Sequence, residues 1–220
     1  PLEDDGWRSP PSETGDEDLP PLQTSVGADS SRTIIAHNQS PDIPFDQSLN
    51  PYRGCEHGCI YCYARPTHAY LGHSPGLDFE TKLYAKHDAA TLLDRELRKR
   101  SYKPQVLALG TVTDPYQPIE RIYRVTRQVL KVLSDFNHPV GITTKSARVT
   151  DDIDILADMA RRKLAMVSMS VTSLDRDLSR KLEPRASTPA NRLDAIKKLS
   201  DAGVPVAVSV APIIPALTDH

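Results

Sequence analysis

The sequence predicts an α/β domain whose strands are parallel and form a partial, six-stranded β/α barrel. Two observations lead to this fold class. Six short apolar runs alternate with segments whose apolar residues recur at helical spacing. Most connections between the runs are also long enough for helices, and parallel strands need such right-handed crossovers.

The N-terminal segment differs from the rest of the chain. Residues 1–31 are rich in Pro, Ser, Asp and Glu and poor in large apolar side chains. Such a segment buries too little surface to offset the entropy of ordering it. We therefore predict a disordered tail over residues 1–31 and a core domain over residues 32–220. Ile34 and Ile35 are candidates for a short edge strand at the start of that domain.

The six predicted strands begin just before the cysteine-containing segment and end near the C-terminus. Val106–Val112 (VLALGTV) is a short buried run, and Val140–Thr144 (VGITT) follows the break at Pro139. In chain order, the strands are Ser48–Tyr52, Phe79–Lys86, Val106–Val112, Val140–Thr144, Ala165–Thr172 and Val204–Ile214.

Four segments between these strands show the apolar periodicity of amphipathic helices. The predicted helices are Asp88–Arg100, Glu120–Phe136, Asp151–Lys163 and Pro189–Ala202. Thr150 is the expected N-terminal cap of the third helix. The fourth begins with Pro189 and is followed by Gly203, the usual placement of these residue types at helix ends.

Composition limits the cellular context. The net charge is −2, which gives no general attraction to nucleic acid but leaves room for a local basic groove. No apolar run approaches the roughly 20 residues that cross a bilayer, and the few cysteines are typical of a cytosolic protein. We expect a cytoplasmic location. The chain stops directly after the sixth strand, so we expect a fragment truncated at its C-terminus.

All three cysteines of the chain, Cys55, Cys59 and Cys62, lie in the run GCEHGCIYC. This C-x3-C-x2-C spacing is one thiolate short of the full set for an iron–sulfur cube or a tetrahedral zinc. Three protein ligands leave one metal position open to a small molecule. Other interpretations stay open: a zinc site completed by His57, small buried cysteines, or a disulfide with one thiol left over.

The cysteine segment, with Tyr61 just before the last cysteine, resembles the signature of the radical S-adenosylmethionine (SAM) enzymes. The resemblance implies a [4Fe-4S] cluster on the three cysteines, with SAM bound to the open iron through its amino and carboxylate groups. An electron from the cluster would break a carbon–sulfur bond and release a 5′-deoxyadenosyl radical. A six-stranded β/α barrel is the usual core of this class.

Further segments resemble the spore photoproduct lyase-like branch of this superfamily, and within it a bacterial group of unestablished function. They are NPYRGCEHGCIYCYARPTHAYLG, SPGLDFETK, LGTVTDPYQPIE, TTKS, LEPRA and APIIP. The match runs from about Ser40 to Thr218. The resemblance implies a lyase-like radical enzyme, but none of these segments identifies a substrate.

Residues that match cofactor contacts in the lyase can be transferred one at a time. Lys145, in TTKS, matches a lysine that touches the SAM carboxylate. Thr113 matches a cofactor-binding serine, and Ser170 matches another on the next strand. Asp114 and Glu120 are candidates for the ribose or the methionyl amine, although Asp114 could instead set the turn at the following proline.

Tyr61 and Tyr63 flank the last cysteine, as do two tyrosines that are thought to relay a hydrogen atom in the lyase. They are our candidate catalytic residues, with simple packing as the alternative. The lyase has a hydrogen-donating cysteine just after the third strand, where this chain has Thr111. A threonine O–H bond is too strong to replace a thiol, so thymine-dimer reversal by the lyase mechanism is not expected.

Two classes of function remain. The first is a radical SAM enzyme that acts on an unactivated C–H bond of a nucleic acid, a peptide or a small metabolite, with flavodoxin or ferredoxin as electron donor. The alternative is a non-catalytic zinc or iron–sulfur protein with a structural, sensing or electron-transfer role. Glu183 and Arg185, in LEPRA, are interpreted as an ion pair, either at the substrate entrance or purely structural.

Overall fold

The computed structural model describes residues 23–219, in which nine strands and seven α-helices are formed. The strands are β1 (Ser25–Ala28), β2 (Ala36–His37), β3 (Gln47–Leu49), β4 (Tyr52–Arg53), β5 (Lys82–Ala85), β6 (Leu107–Leu109), β7 (Val140–Thr144), β8 (Ala165–Ser170) and β9 (Val206–Ser209). The helices are α1 (Asp78–Thr81), α2 (Ala89–Leu97), α3 (Glu120–Tyr123), α4 (Val125–Asp135), α5 (Ile153–Arg161), α6 (Arg176–Leu182) and α7 (Pro189–Asp201). Two 3₁₀ helices span Arg65–Leu71 and Ala147–Asp152.

The scaffold is a six-stranded sheet in the order β2–β3–β6–β7–β8–β9. All strands from β3 onward in this order pair in parallel, and β2 is antiparallel to β3. Apolar side chains from the strands pack against α2, α4, α5 and α7 to form one core. The core includes Leu93, Leu107, Leu109, Leu130, Ile142, Leu156, Val167 and Leu199. The predicted α/β class with a parallel sheet is confirmed.

The second predicted strand, Phe79–Lys86, is wrong in its extent and its partners. Its first residues form α1, and β5 belongs to a separate three-stranded sheet in the order β1–β5–β4. β5 is parallel to β1 and antiparallel to β4. Only five of the six predicted strands therefore join the main sheet.

The prediction of a disordered tail is wrong for β1. Backbone pairing with β5, such as Val26 opposite Leu83, holds this four-residue strand in place. Composition reports how much apolar surface a segment can bury, but not that a neighbouring strand offers it an edge. Residues 1–22, which make up most of the predicted tail, lie outside the described residues.

The remaining differences concern helix and strand ends. The predicted helix Glu120–Phe136 is interrupted at Arg124, whose φ of 49° lies in the left-handed region. Ser146, rather than Thr150, caps the 3₁₀ helix that leads into α5. β2 takes the edge position expected of Ile34 and Ile35, which are buried in the core instead. Within residues 23–219, no helix combines the length and apolar character needed to span a membrane.

Candidate cluster and cofactor site

One cleft opens where the loops leave the C-terminal ends of the parallel strands. It brings together eight of the predicted site residues, namely Cys55, Cys59, Cys62, Tyr63, Thr113, Asp114, Lys145 and Ser170. Thr111 also lines it, whereas Tyr61 does not. These residues come from four separate segments. Three of them are at or after the C-terminal ends of the parallel strands β6, β7 and β8, which meet at the same edge of the sheet. The fourth is the cysteine loop, which follows the parallel strand β3 by way of the short β4.

At two places the cysteine loop has a left-handed backbone, which favours glycine, and little space for a side chain. Gly54 and Gly58 have φ values of 73° and 70°, in the left-handed region. A Cβ atom on Gly54 would lie 2.8 Å from the carbonyl oxygen of Phe79, and one on Gly58 would lie 2.7 Å from a carboxylate oxygen of Glu80. The loop can therefore wrap closely against α1 only because both residues lack a side chain.

Gln117 holds the same loop from the other side. Its buried side chain donates from Nε2 to the carbonyl of Gly54 at 3.1 Å and accepts from the amide of Glu56 at 2.9 Å. The two contacts bracket Cys55. Sequence reasoning missed Gln117, although it lies within the segment TVTDPYQPIE; an amide between two prolines, on the loop that faces the cysteines, was the available signal.

A cluster of Arg65, Glu80 and Arg185 fixes the remaining carbonyl groups of the loop. Arg65 donates to the carbonyl of Cys59 at 3.1 and 2.9 Å. Arg185 donates to the carbonyl of Glu56, and Glu80 forms ion pairs with both arginines. The predicted pairing of Arg185 with Glu183 is therefore wrong, because α1 presents Glu80 to both guanidinium groups.

Glu183 instead pairs with Arg192, and both side chains are fully buried. Arg192 also donates to the carbonyls of Ser187 at 2.7 Å and Ser170 at 3.0 Å. Burial acts to raise the pKa of Glu183, but Arg192 and the hydrogen bond from Tyr61 outweigh it and lower that pKa. The pair is a charged anchor beneath the end of β8.

Tyr61 connects this anchor to the cleft. Its hydroxyl donates to Glu183 and lies 3.2 Å from the hydroxyl oxygen of Thr172. The ammonium of Lys145 lies over the aromatic ring of Tyr61, 5.8 Å from the ring centroid, within the range of a cation–π contact. Burial, followed by the charges of Cys59 and Glu183, raises the pKa of the Tyr61 phenol.

Asp114 joins three segments at the mouth of β7. Its carboxylate accepts from the hydroxyl of Thr144 and from the amide of Lys145, both at 2.7 Å. Nδ1 of the buried His57 lies 3.4 Å from the same carboxylate. These contacts position the Lys145 backbone and the cysteine loop relative to each other, while a direct contact of Asp114 with a cofactor stays a prediction.

The loop after β6 supplies the other wall of the cleft. Thr113 donates from its hydroxyl to the carbonyl of Tyr52 at 3.1 Å. Asn50 donates to the hydroxyl of Thr111 at 3.0 Å, and the Tyr63 hydroxyl donates to the Thr111 carbonyl. Tyr63 is 79% exposed, so unlike Tyr61 it lies at the entrance of the cleft.

Glu120 does not line this cleft, so the prediction that it contacts the cofactor is not supported by its position. Its carboxylate accepts from the Tyr52 hydroxyl and from the amides of Thr126 at 3.1 Å and Arg127 at 3.2 Å. These amides begin α4, where Glu120 satisfies donors that have no partner within the helix. Burial raises the pKa of Glu120 to about 7.

The three thiols form a donor set that suits an iron–sulfur cube. Burial raises the pKa of the Cys55 thiol well above its usual range and that of Cys59 to about 12, with Lys145 acting in the opposite direction on Cys59. Metal binding would drive their deprotonation. Within residues 23–219, no three His, Cys, Asp or Glu side chains are placed to hold a single metal ion. A [4Fe-4S] cube takes each cysteine ligand on a different iron, and three cysteines would leave one iron open.

Comparison with known proteins agrees with this site. The family model of the radical SAM superfamily matches residues 49–220. The chain belongs to the radical SAM superfamily, whose enzymes bind a [4Fe-4S] cluster and SAM.

Two relatives and one solved structure show how far the similarity reaches. An uncharacterized protein of Mycobacterium tuberculosis is 40% identical over 177 residues, which are 80% of this chain and 52% of that protein. The radical SAM Nα-GlyT isomerase of Pseudomonas phage M6 is 27% identical over 176 residues, 77% of this chain and 34% of that protein. Spore photoproduct lyase, in complex with a dinucleoside spore photoproduct, has the same fold, with a TM-score of 0.63, 18% identity and coverage of 86% of this chain and 51% of the lyase. The chain therefore spans about half the length of the mycobacterial relative.

Proposed function

We propose that this chain is the catalytic core of a lyase-like radical SAM enzyme that acts on a C–H bond of a nucleic-acid substrate. The observation that carries the proposal is the convergence of three cysteines, Lys145 and the polar ends of β6 and β8 on one cleft. The three cysteine thiols are suited to binding a cluster. The ammonium of Lys145 and the hydroxyl groups of Thr113 and Ser170, which could bind a charged small molecule, line the same cleft.

The cluster and SAM, when bound, would supply a 5′-deoxyadenosyl radical that removes a hydrogen atom from the substrate. Cys55, Cys59 and Cys62 would hold the cluster. Lys145 would hold the cofactor carboxylate by a charge-assisted hydrogen bond, and its position over the Tyr61 ring supports that role. Thr113 and Ser170 line the same cleft and are proposed as further cofactor contacts.

Tyr61 and Tyr63 are proposed as hydrogen-relay residues. Tyr61 does not line the cleft itself but contacts it through Lys145, and its phenol, which carries a hydrogen atom at neutral pH, donates to the buried Glu183. Tyr63 is exposed at the entrance and is held by the Thr111 carbonyl. Only Tyr63 lines the cleft itself, so it is the relay residue that a molecule in the cleft would meet directly.

The proposed substrate class rests on similarity in fold to a lyase that binds a dinucleoside photoproduct. Photoproduct repair itself is not proposed, because Thr111 occupies the place where the lyase has a hydrogen-donating cysteine. A reduced flavodoxin or ferredoxin is the proposed electron donor. The reduced thiols that the site needs fit a cytoplasmic location.

The test is an anaerobic assay of the full-length, cluster-loaded protein with SAM and dithionite. We expect 5′-deoxyadenosine to form only with reductant and to be absent from the Cys59→Ala variant. An oligonucleotide deuterated in its thymidine residues should transfer deuterium to that product. A colourless zinc protein that forms no 5′-deoxyadenosine would contradict the proposal and support the non-catalytic alternative. Product formation without deuterium transfer from any deuterated oligonucleotide would contradict only the substrate class.

A further inference from the structure

A second cavity of about 240 Å³ lies beside the cluster cleft. Val112 and Thr113 line both spaces, so the two are separated only by the loop after β6. Asn50 also lines the second cavity and accepts from the amides of these two residues at 2.9 and 3.3 Å. Any molecule that fills both spaces would contact a loop whose backbone is fixed.

Lys86 places a cation in the wall of this second cavity. It directly follows β5, and its amide donates to the carbonyl of Pro51 at 3.0 Å. Across the described part of the chain, its ammonium makes no hydrogen bond and no ion pair. Burial, together with the charge of Arg53 and against that of Asp29, lowers the pKa of Lys86 to about 8. A half-buried ammonium without a partner is costly, and a bound anion would offset that cost.

The neighbouring charges leave Lys86 as the available cation. Arg53 also lines the cavity, but it forms an ion pair with the buried carboxylate of Asp29 and donates to the Ser31 hydroxyl at 3.2 Å. Asp29 is thus the acidic group of this cluster and is engaged by Arg53. With two cations against one carboxylate, the wall keeps a net positive charge.

The rim of the cavity carries an aromatic ring beside this charge. Tyr70 lines the cavity and is 90% exposed. Isolated exposed tyrosines are common, but an aromatic face next to an unpaired cation is the arrangement that proteins use for single-stranded nucleic acid, where bases stack and phosphates meet cations.

We propose that this cavity is a phosphate subsite, in which Lys86 contacts a phosphate of a single nucleic-acid strand and Tyr70 stacks on an adjacent base. The strand would continue over the loop after β6, past the partly exposed Val112, into the cluster cleft. The inference rests on the proposed nucleic-acid substrate, whose reacting nucleotide would be positioned by these contacts with its neighbour.

The experiment measures fluorescence anisotropy of a labelled single-stranded oligothymidylate with the cluster-loaded, full-length protein. We expect Lys86→Gln to weaken binding about tenfold, because a charge-assisted hydrogen bond is lost. The slope of log affinity against log salt should become shallower by about 0.7, the value for one phosphate of a single strand. Lys86→Arg should restore binding, and Tyr70→Ala should weaken it by about fivefold or more through lost stacking.

Lys82→Gln is the matched control. Lys82 is the first residue of β5, the strand that Lys86 follows, but its ammonium pairs with Asp78 at 3.1 Å and it does not line the cavity. It should change binding by less than about twofold, as expected of an exposed pair. Equal weakening by the Lys82 and Lys86 variants, or none by Lys86→Gln, would overturn the subsite.

Probes that differ only in backbone charge test the wild-type protein directly. A set of oligothymidylates carries one uncharged methylphosphonate linkage, placed at a different position in each. The wild type should bind one of them more weakly than the others, namely the one whose uncharged linkage falls at Lys86. Lys86→Gln should bind all of them equally well. Competition by free thymidine monophosphate at the same concentration as the oligonucleotide would point to a nucleotide rather than a strand, and would overturn the strand assignment. If the wild type binds neither probe, both the subsite and the proposed substrate class fail; if it binds but Lys86→Gln binds equally well, only the subsite fails.

Discussion

The ammonium of Lys145 lies 5.8 Å above the ring of Tyr61, whose hydroxyl donates to Glu183. A residue of the cluster cleft is thereby linked through Tyr61 to the buried Glu183–Arg192 pair. Sequence separation hides this relationship, because Tyr61 and Glu183 are 122 positions apart. The position of Lys145, the proposed cofactor-binding residue, therefore depends on an ion pair that is shielded from solvent.

Loss of any one cluster cysteine should abolish cluster retention. Cys55→Ala, Cys59→Ala and Cys62→Ala each remove one of only three thiols in the chain, and no other cysteine can replace it. Iron and sulfide content and the brown absorbance after anaerobic reconstitution measure the result. His57→Gln is the control that distinguishes a [4Fe-4S] cluster from a zinc site. The variant should keep a cluster bound by the three cysteines, whereas it should lose a zinc ion whose fourth ligand is His57. Full iron in all three alanine variants would disprove the assignment.

Lys145→Ala should weaken SAM binding by about 10- to 100-fold, because a charge-assisted hydrogen bond contributes roughly 1.5–3 kcal/mol. The cluster should remain, since Lys145 is not one of its thiol ligands. An anaerobic titration of SAM monitored by the cluster spectrum gives the affinity. Lys197→Ala, which removes an exposed lysine paired with Asp201, should leave it unchanged. Equal affinity for wild type and Lys145→Ala would remove Lys145 from the site.

Short motifs located the residues that line the cluster cleft. The cysteine motif is contained in eight consecutive residues, and Thr113, Lys145 and Ser170 came from the resemblance of short segments to the lyase. All of them line one cleft, while their roles there stay predictions. Side chains whose partners are distant in sequence were missed or misassigned. Gln117 forms hydrogen bonds with a loop about 60 residues earlier in the chain, and Arg185 forms an ion pair with Glu80 rather than with the nearby Glu183.

The same distinction holds for the fold. Apolar periodicity located the strands of the main sheet and its covering helices, because each pattern reflects burial of one face. It could not find β1, a four-residue strand (SVGA) that is held by main-chain pairing with β5. It also could not find the break at Arg124, where Glu120 caps α4 through contacts that leave the apolar pattern continuous.

Glu183→Gln should destabilise the protein by about 3–5 kcal/mol at pH 7, because it leaves the guanidinium of Arg192 buried without a counter-charge. The pKa of Glu183 is lowered from 4.5 in the fold. A carboxyl of this kind stabilises the fold above its unfolded pKa, and that contribution is lost as the pH falls through the lower folded value. The difference in unfolding free energy between wild type and variant should therefore be constant near neutral pH and shrink below about pH 4.5.

Chemical denaturation of both proteins between pH 7 and pH 3 measures this difference. Asp201→Asn, which breaks an exposed pair with Lys197, is the control and should show little change at any pH. A Glu183→Gln variant as stable as the wild type at pH 7 would show that the buried pair does not anchor Tyr61 and the end of β8.

The protein should not efficiently repair spore photoproduct, despite the shared fold. Thr111 lines the cluster cleft, with its hydroxyl held by Asn50 and its carbonyl by Tyr63. It cannot give a hydrogen atom to a product radical as a thiol does, and all three cysteines of the chain are needed for the cluster. Reduced, cluster-loaded, full-length protein incubated with dinucleotide photoproduct should complete few turnovers, while Thr111→Cys should complete more because it places a thiol in the same wall.

Thr111→Ser, which keeps a hydroxyl, is the matched control and should behave as the wild type. Many clean turnovers to thymine pairs by the wild type would contradict this expectation and would require another hydrogen donor, with Tyr61 as the first residue to test by substitution with phenylalanine.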